Sequence, residues 1–360
     1  MNIITVTGIR PDFIRMSEVF RVFDAEPSIN HTLVHTGQHF DRLLSGVFFD
    51  ELDIREPDYN LAIGGKGKEH FHQNAELTVK LIELIRNEGL EPDWIFFLGD
   101  SNSVLVAPSL AKEGYKVAHI EAGMRSFDRR MLEEINRVAC DHSSDALFTY
   151  HDDYTQHLIS ENIPDEKIFN VGNTIVEVVK KHGSEILSST KKNNQMILDI
   201  HRPENFKDPT RLQAIFDWAE QLSLEFDVPC LSLMFPRTYS YIEKYGINTR
   251  GTRVVDLMSY KDYLSSVYDS LFIISDSGTA QEEPAMLNTP VLVPREYTER
   301  PQSYAAMCSC YLPLGTLDAA PIVDFIQNSP NSMTTDWLGS GKTSQDILKN
   351  LMVDWQNDGN

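Results

Sequence analysis

The sequence predicts an α/β protein made of two Rossmann-like halves. Three observations carry that expectation. Apolar, strand-like runs alternate with amphipathic helical stretches from the first residue, as in a doubly wound parallel sheet. The alternation breaks in a polar segment at 183–194 and restarts after Lys191-Lys192-Asn193-Asn194. A chain of 360 residues is also long for one hydrophobic core.

In the first half, strands are expected at 2–7, 31–36, 94–98, 116–120, 146–149 and 168–171. Helical periodicity falls between them at 14–25, 73–88 and 104–113. In the second half, strands are expected at 195–200, 229–234, 252–256, 271–275 and 290–293, with helices at 209–225 and 280–287. Segment 183–194 reads as the linker. A final amphipathic segment, 344–356, can pack on either half. The expected domains are 1–182, 183–343, and a C-terminal helix in 344–360 that packs back on the first.

Composition bounds the function. Hydrophobic residues make up 41% and charged residues 24%, ordinary for a soluble globular protein. A net charge of −21 argues against a general nucleic-acid or anionic-membrane surface, although a few arginines and helix N-termini can hold a phosphate locally. The N-terminus lacks the basic and apolar regions of a signal peptide, and no run approaches ~18 uninterrupted apolar residues, so no membrane insertion is expected. Cys140, Cys230, Cys308 and Cys310 form no Cys-x-x-Cys pair, which reads as reduced thiols in the cytoplasm and no zinc site. Two glycine-rich stretches are decoys. Gly341-Lys342-Thr343 has Asp336 where a phosphate loop needs its first glycine, and Gly64-Gly65-Lys66-Gly67-Lys68 lacks a following Ser or Thr.

Polar residues cluster at the carboxyl ends of the expected strands, where open α/β sheets bind ligands. Gly8-Ile9-Arg10-Pro11-Asp12 follows the first strand. Gly8 permits a sharp turn, Pro11 suits a helix start, and Arg10 adds a cation, with Arg15 about a turn further on. Asp100, after Leu98-Gly99, reads as a helix cap or a catalytic base. His119-Ile120-Glu121-Ala122-Gly123-Met124-Arg125 and Glu133-Glu134-Ile135-Asn136-Arg137 place carboxylates and arginines together. They are either proton carriers or surface ion pairs at a helix start. The second helix is expected to bury Met131, Ile135, Val138 and Ala139. Its spacing allows Glu133–Arg137 and Arg130–Glu134 pairs on a solvated face.

In the second half, Pro203 leaves His201 and Arg202 at a strand edge, where the histidine contacts substrate or merely a neighbouring loop. Ser275-Asp276-Ser277-Gly278-Thr279 ends an apolar strand and offers hydroxyl and backbone donors for a phosphate. Glu283 suits a ribose, and Thr298-Glu299-Arg300-Pro301 adds a cation. For each of these the alternative is capping and surface charge.

Taken together, these motifs resemble the UDP-N-acetylglucosamine 2-epimerase family. The resemblance runs from Gly8-Ile9-Arg10-Pro11 to Thr298-Glu299-Arg300-Pro301. It includes Thr36-Gly37-Gln38-His39, Gly172-Asn173 and His201-Arg202-Pro203-Glu204-Asn205. It implies a glycosyltransferase-B-like fold with catalysis in the interdomain cleft. It implies a non-hydrolysing epimerisation in which UDP leaves as the C2 proton is removed, and a 2-acetamidoglucal is reprotonated on the other face. By that resemblance Asp100, Glu121, Glu133 and His201 are catalytic. Arg10, Arg15, Arg125, Arg202, Ser277, Gly278, Thr279, Glu283 and Arg300 hold the UDP-sugar. No metal or cofactor is implied, and a homodimer is.

The sequence departs from the family pattern at Ile9 (usually Thr), Arg15 (usually Lys) and Leu132 (commonly Pro). Phe235-Pro236-Arg237-Thr238 has lost the histidine of a His-Pro-Arg-Thr element. Ser275–Thr279, Phe127-Asp128 with Arg130, and Arg55-Glu56-Pro57-Asp58-Tyr59 resemble the subgroup acting on UDP-2-acetamido-2,6-dideoxy-L-hexoses. The open alternatives are a hydrolysing epimerase that releases free N-acetylmannosamine, a glycosyltransferase on the same fold, and a silent sugar-nucleotide sensor.

Overall fold

In the computed structural model, which describes residues 1–37, 46–64, 69–330 and 332–357, the strands form two separate parallel sheets. The chain divides accordingly. One unit holds Met1–Val178 and Leu338–Asn360, the other Val179–Trp337.

The first sheet comprises β1 (Asn2–Thr7), β2 (Asn30–His35), β3 (Tyr59–Asn60), β4 (Trp94–Leu98), β5 (Val117–Ala122), β6 (Ala146–Thr149) and β7 (Ile168–Asn170). Its spatial order is β3-β2-β1-β4-β5-β6-β7. β4 and β5 are buried along their whole length, which is why β4 reads as a continuous apolar run and β5 is apolar except at His119 and Glu121. The helix Arg10–Ala25 starts with Pro11, whose missing N–H costs nothing there. The helix His70–Asn87 buries Leu77, Leu81 and Ile85, four residues apart, in the core with Ile4, Val34 and Phe97.

The second sheet comprises β8 (Gln195–Asp199), β9 (Cys230–Leu233), β10 (Thr252–Val255), β11 (Ser270–Ser275), β12 (Val291–Val293) and β13 (Ser309–Tyr311), in the order β10-β9-β8-β11-β12-β13. The helix Pro209–Phe226 is capped by Asp208, which accepts from the N–H groups of Thr210 and Arg211. Its Leu212, Phe216, Trp218 and Leu222 fill this unit's core.

The α/β class and the two Rossmann-like halves are as the sequence predicts. Several elements differ. β3 and β13, of two and three residues, fall outside the expected strands. The stretch expected as a helix at 104–113 is a 3-10 turn, Asn102–Val106, followed by Ala107–Lys112, with Pro108 at the junction. The stretch at 280–287 is likewise split into Thr279–Gln281 and Glu283–Met286, where Pro284 enters. The helix Ile175–Leu187 runs on into the segment read as linker.

At helix Leu132–Asp141 Met131 is buried as expected, but the rest of the expected faces are not kept. Ile135 is 44% exposed, whereas Glu134, Asn136, Arg137 and Asp141 are buried. The helix Thr343–Asn357 belongs to the first unit, where Thr343 Oγ1 donates to the Val171 carbonyl and Ser344 bonds Glu177. Among the described residues no helix is long and apolar enough to cross a membrane. The expectations placed on Gln38-His39 and on 65–68 lie outside the described residues.

Each sheet reverses its strand order once, between β1 and β4 in the first and between β8 and β11 in the second. Parallel sheets open a crevice at such switch points, beyond the carboxyl ends of the strands.

Candidate active site

At the first switch point, Gly8 follows β1 and Gly99-Asp100 follows β4. The two turns touch: a Cβ on Gly8 would stand 2.8 Å from Ser101 Oγ. Arg10 opens its helix with the guanidinium over the Phe48 ring, 5.0 Å from the centroid. Asp12, which the sequence reading left without a role, accepts from the N–H groups of Gly8 (2.7 Å) and Ile9 (3.0 Å) and so closes the loop that carries Arg10. Burial pushes its carboxyl up to about 7 against those two bonds, and nearby Asp100 adds to the rise.

Asp100 is not a helix cap. Ser101 holds the cap position, and the Asp100 carboxylate pairs with the buried guanidinium of Arg137. Asn136 Nδ2 donates to the Asp100 carbonyl at 2.8 Å. The expected solvated Glu133–Arg137 face is thus corrected. Arg137 is fully buried and also reaches Glu134, which accepts from Ser126 and from the Phe127 N–H. Arg130 lies against Asp128 at 2.6 Å.

Glu121 sits on a β-bulge. Ile120 pairs with Phe148 and Ala122 with Thr149, so the ladder to β6 skips Glu121, and its φ is +73°. A left-handed glutamate in a strand re-aims its side chain. Here the side chain turns toward Gly99, where a Cβ would lie 3.5 Å from Oε2. Its carboxylate pairs with Arg15, which also lies over the Tyr150 ring at 5.5 Å, and both members of the pair are buried. Glu133 lies half-buried in the first turn of Leu132–Asp141. Arg125 is placed differently from the other arginines. It is 3% exposed, with its guanidinium bonded to Asp141 at 2.7 Å and to Glu161 at 2.7 and 2.8 Å.

At the second switch point, His201 follows β8 and Asp276-Ser277-Gly278-Thr279 follows β11. Asp276 joins the two turns. It accepts from the backbone N–H of His201 (3.0 Å) and of Arg202 (3.1 Å) and from Asn205 Nδ2 (3.0 Å). The His201 ring has Nδ1 3.1 Å from Asp199 and 3.4 Å from Asp276. Burial opposes its charged form, but Asp276 and Asp199 outweigh that and raise its proton affinity.

Ser277 Oγ bonds Thr279 Oγ1 at 3.1 Å, and the Ser277 N–H donates to Ser275 Oγ. Gly278 is buried over the Arg300 guanidinium; a Cβ there would meet Nη1 at 2.5 Å and Glu299 Oε1 at 2.9 Å. Arg300 is 2% exposed and is held by Glu282 at 2.7 Å and by Glu299. Glu283, also buried, accepts from Tyr260 Oη at 2.8 Å. Among the described residues no group of three or more His, Cys, Asp or Glu side chains is disposed to hold a metal ion.

The structure therefore gathers Arg10, Arg15, Asp100 and Glu121 at one switch point, and His201, Arg202, Ser277, Gly278, Thr279 and Glu283 at the other. It sets Arg125 and Arg300 in ion pairs beneath them. Sequence reading passes over Asp12, Arg137 and Tyr260 as site residues. Only the spacing of Asp12 from the Gly8 turn is a signal, because the other two are recognised by tertiary contacts.

Comparison with known proteins agrees with these motifs. The model of the UDP-N-acetylglucosamine 2-epimerase family matches residues 21–352. A UDP-N-acetylglucosamine 2-epimerase of Methanococcus maripaludis is 34% identical over 83% of this chain and 84% of its own. A UDP-2,3-diacetamido-2,3-dideoxy-D-glucuronate 2-epimerase of Pseudomonas aeruginosa is 32% identical over 83% and 84%. The crystal structure of the Methanocaldococcus jannaschii UDP-GlcNAc 2-epimerase in complex with UDP-GlcNAc and UDP superposes with a TM-score of 0.90 at 28% identity, over 98% of this chain and 100% of that one. By sequence and by fold, this chain belongs to the UDP-N-acetylglucosamine 2-epimerase family.

Proposed function

We propose that this protein inverts C2 of a UDP-N-acetylhexosamine without net hydrolysis. UDP leaves by anti-elimination as the C2 proton is removed. The 2-acetamidoglucal stays bound, a proton is delivered to the opposite face, and UDP adds back to C1. The substrate is UDP-GlcNAc/UDP-ManNAc or a 2,6-dideoxy-L analogue.

One observation carries the reading: ionisable groups suited to proton transfer lie at the switch point of each sheet. Two faces of C2 must be served, so two proton carriers are required. Asp100 and Glu121 are held by arginines, Glu133 lies in the adjacent helix, and His201 is flanked by two carboxylates. UDP is held by Arg10, Arg15, Arg202, the Ser277–Thr279 loop and Glu283. Arg125 and Arg300 act from below, by fixing the loops above them. A homodimer in the cytoplasm is part of the proposal.

A nuclear magnetic resonance time course with candidate UDP-sugars and no acceptor tests it. The expected result is an epimeric UDP-sugar carrying solvent deuterium at C2 when the reaction runs in heavy water. Free sugar plus UDP identifies the hydrolysing reaction instead. No turnover until an acceptor is added identifies a glycosyltransferase, and product with C2 fully protonated rules out elimination.

A further inference from the structure

Beneath the first switch point lies a buried ionic chain of which the proposed mechanism uses only Arg125. His119, on β5, is completely buried. Its Nε2–H donates to the Gly99 carbonyl at 2.7 Å, and its Nδ1 lies 2.6 Å from Asp141 Oδ1. A carbonyl and an ionised carboxylate both only accept, so both ring nitrogens donate and the ring is an imidazolium. Asp141 Oδ2 accepts from the Gly123 N–H at 3.1 Å and from Arg125 Nη1 at 2.7 Å. Arg125 continues to Glu161, which His142 Nε2 meets at 3.1 Å.

The charges support this arrangement. Burial works against a charged His119, but Cys140 and Asp141 raise its proton affinity well above the ordinary value. Burial also works against a charged Asp141, and His119 and Arg125 together hold its carboxyl below the usual range.

The chain reaches both turns that carry the proposed carboxylates. Gly99 has φ +74°, Glu121 +73° and Gly123 +77°, all in the left-handed region. For Glu121 that conformation is costly and persists only where its surroundings fix it. Asp141 supplies the fixing. Through His119 it reaches the carbonyl next to Asp100, and directly it grips the N–H two residues after Glu121. We infer that His119, Asp141 and Arg125 are positioning residues, a buried His–Asp–Arg brace that sets the relative placement of the Asp100 and Glu121 carboxylates. The inference rests on the proposed epimerisation for its catalytic meaning. Its structural content stands apart from that reaction.

The test uses the full chain and the variants His119→Gln and Asp141→Asn, each compared with wild type. In the first, the glutamine amide can still donate to the Gly99 carbonyl but brings no cation to Asp141. In the second, the asparagine keeps an acceptor for the histidine and loses the charge. The expected kinetic result is a fall in kcat of about 100-fold with KM within about threefold, because a small misplacement of reacting groups carries a cost of that size. UDP affinity is expected to be unchanged.

The activity-independent arm is spectroscopic. Wild-type His119 should show two protected N–H protons at neutral pH, as its two acceptor partners demand. Amide exchange at Gly99 and Gly123 should accelerate roughly tenfold or more in both variants. Wild-type kcat in both variants, or a His119 ring that is neutral at neutral pH, overturns the brace. If one variant does not fold, the other and the wild-type histidine spectrum still decide it. If wild type epimerises no UDP-sugar but the spectra and exchange behave as stated, the proposed reaction fails and the brace stands.

Discussion

At the carboxyl edge of the first sheet, the side chains proposed for chemistry are themselves members of ion pairs, the half-buried Asp100 with the buried Arg137 and the buried Glu121 with the buried Arg15. At the same edge of the second sheet the ion pairs lie one layer down. Arg300 with Glu282 and Glu299 packs against the buried Gly278, and the Ser277 and Thr279 hydroxyls flank that glycine. Ion pairs orient carboxylates, whereas the missing Cβ of Gly278 lets the Arg300 guanidinium pack against the main chain. The difference sets most of the proposed proton carriers, His201 apart, at the first edge and most of the proposed UDP contacts, Arg10 and Arg15 apart, at the second. Each prediction below is a way to break that division or to sharpen it.

The largest effect is expected at the first edge. Asp100→Asn and Glu121→Gln keep shape and lose charge, and each should lower kcat by ~100-fold or more while UDP binding stays within about twofold. Steady-state kinetics paired with UDP calorimetry checks this. Near-wild-type turnover in both variants breaks the comparison at its root. A parallel loss of UDP affinity would show that these two carboxylates also hold the nucleotide in place.

A smaller effect is expected at the second edge. Glu283 is buried and oriented by Tyr260. Glu283→Ala should weaken UDP by about 1.5–3 kcal/mol, the usual cost of removing a charged hydrogen-bond partner. With substrate saturating, kcat should stay close to wild type. Calorimetric affinity equal to wild type removes Glu283 from the site.

How much of this is legible in the sequence depends on what each feature is made of. β4 is a continuous apolar run and β5 a mostly apolar one, and Asp100 and Glu121 stand at or beside their ends, so both can be located from the chain alone. Strand order cannot, because pairing β1 with β4 and β8 with β11 is a tertiary event. The switch points that join Gly8 to Asp100 and His201 to Asp276 therefore emerge only in the fold. The helix Leu132–Asp141 misleads because its inward face is ionic: Glu134, Arg137 and Asp141 point in and Ile135 points out, which inverts the apolar periodicity. Arg125 and Arg300 look like free cations in the sequence, and only the fold shows their ion pairs with Asp141, Glu161, Glu282 and Glu299.

A pH effect follows from Asp12. Its carboxyl is raised from 3.8 to about 7 in the folded chain, chiefly by burial. A group whose proton affinity rises on folding stabilises the native state fully below its unfolded value. That contribution is lost as pH climbs toward and through the folded value of about 7. The thermal midpoint of wild type should therefore fall between about pH 5 and 8. Asp12→Asn, neutral throughout and still able to accept from Gly8 and Ile9, should reduce the fall by about 3 °C or more. Melts of both proteins across that range check it. Identical slopes would mean that Asp12 is ionised in the fold and that the first edge holds one more permanent carboxylate.

The smallest expected effect concerns Phe235, which stands in place of the histidine of a His-Pro-Arg-Thr element. The structure sets its ring 5.0 Å from that of His201, at the start of the helix Pro236–Tyr245. A phenylalanine donates no hydrogen bond to a phosphate or sugar oxygen. Its position makes it a wall for His201. Wild type should then show hyperbolic kinetics, with no need for a second sugar-nucleotide as activator. Phe235→Leu keeps an apolar wall and should change kcat/KM by no more than about fivefold, on the scale of one aromatic contact. Initial rates across substrate concentration decide the matter. A sigmoidal curve, or a lag relieved by trace UDP-GlcNAc, would show that a regulatory pocket exists without the histidine. The second edge would then hold two sugar-nucleotides where the comparison assigns it one.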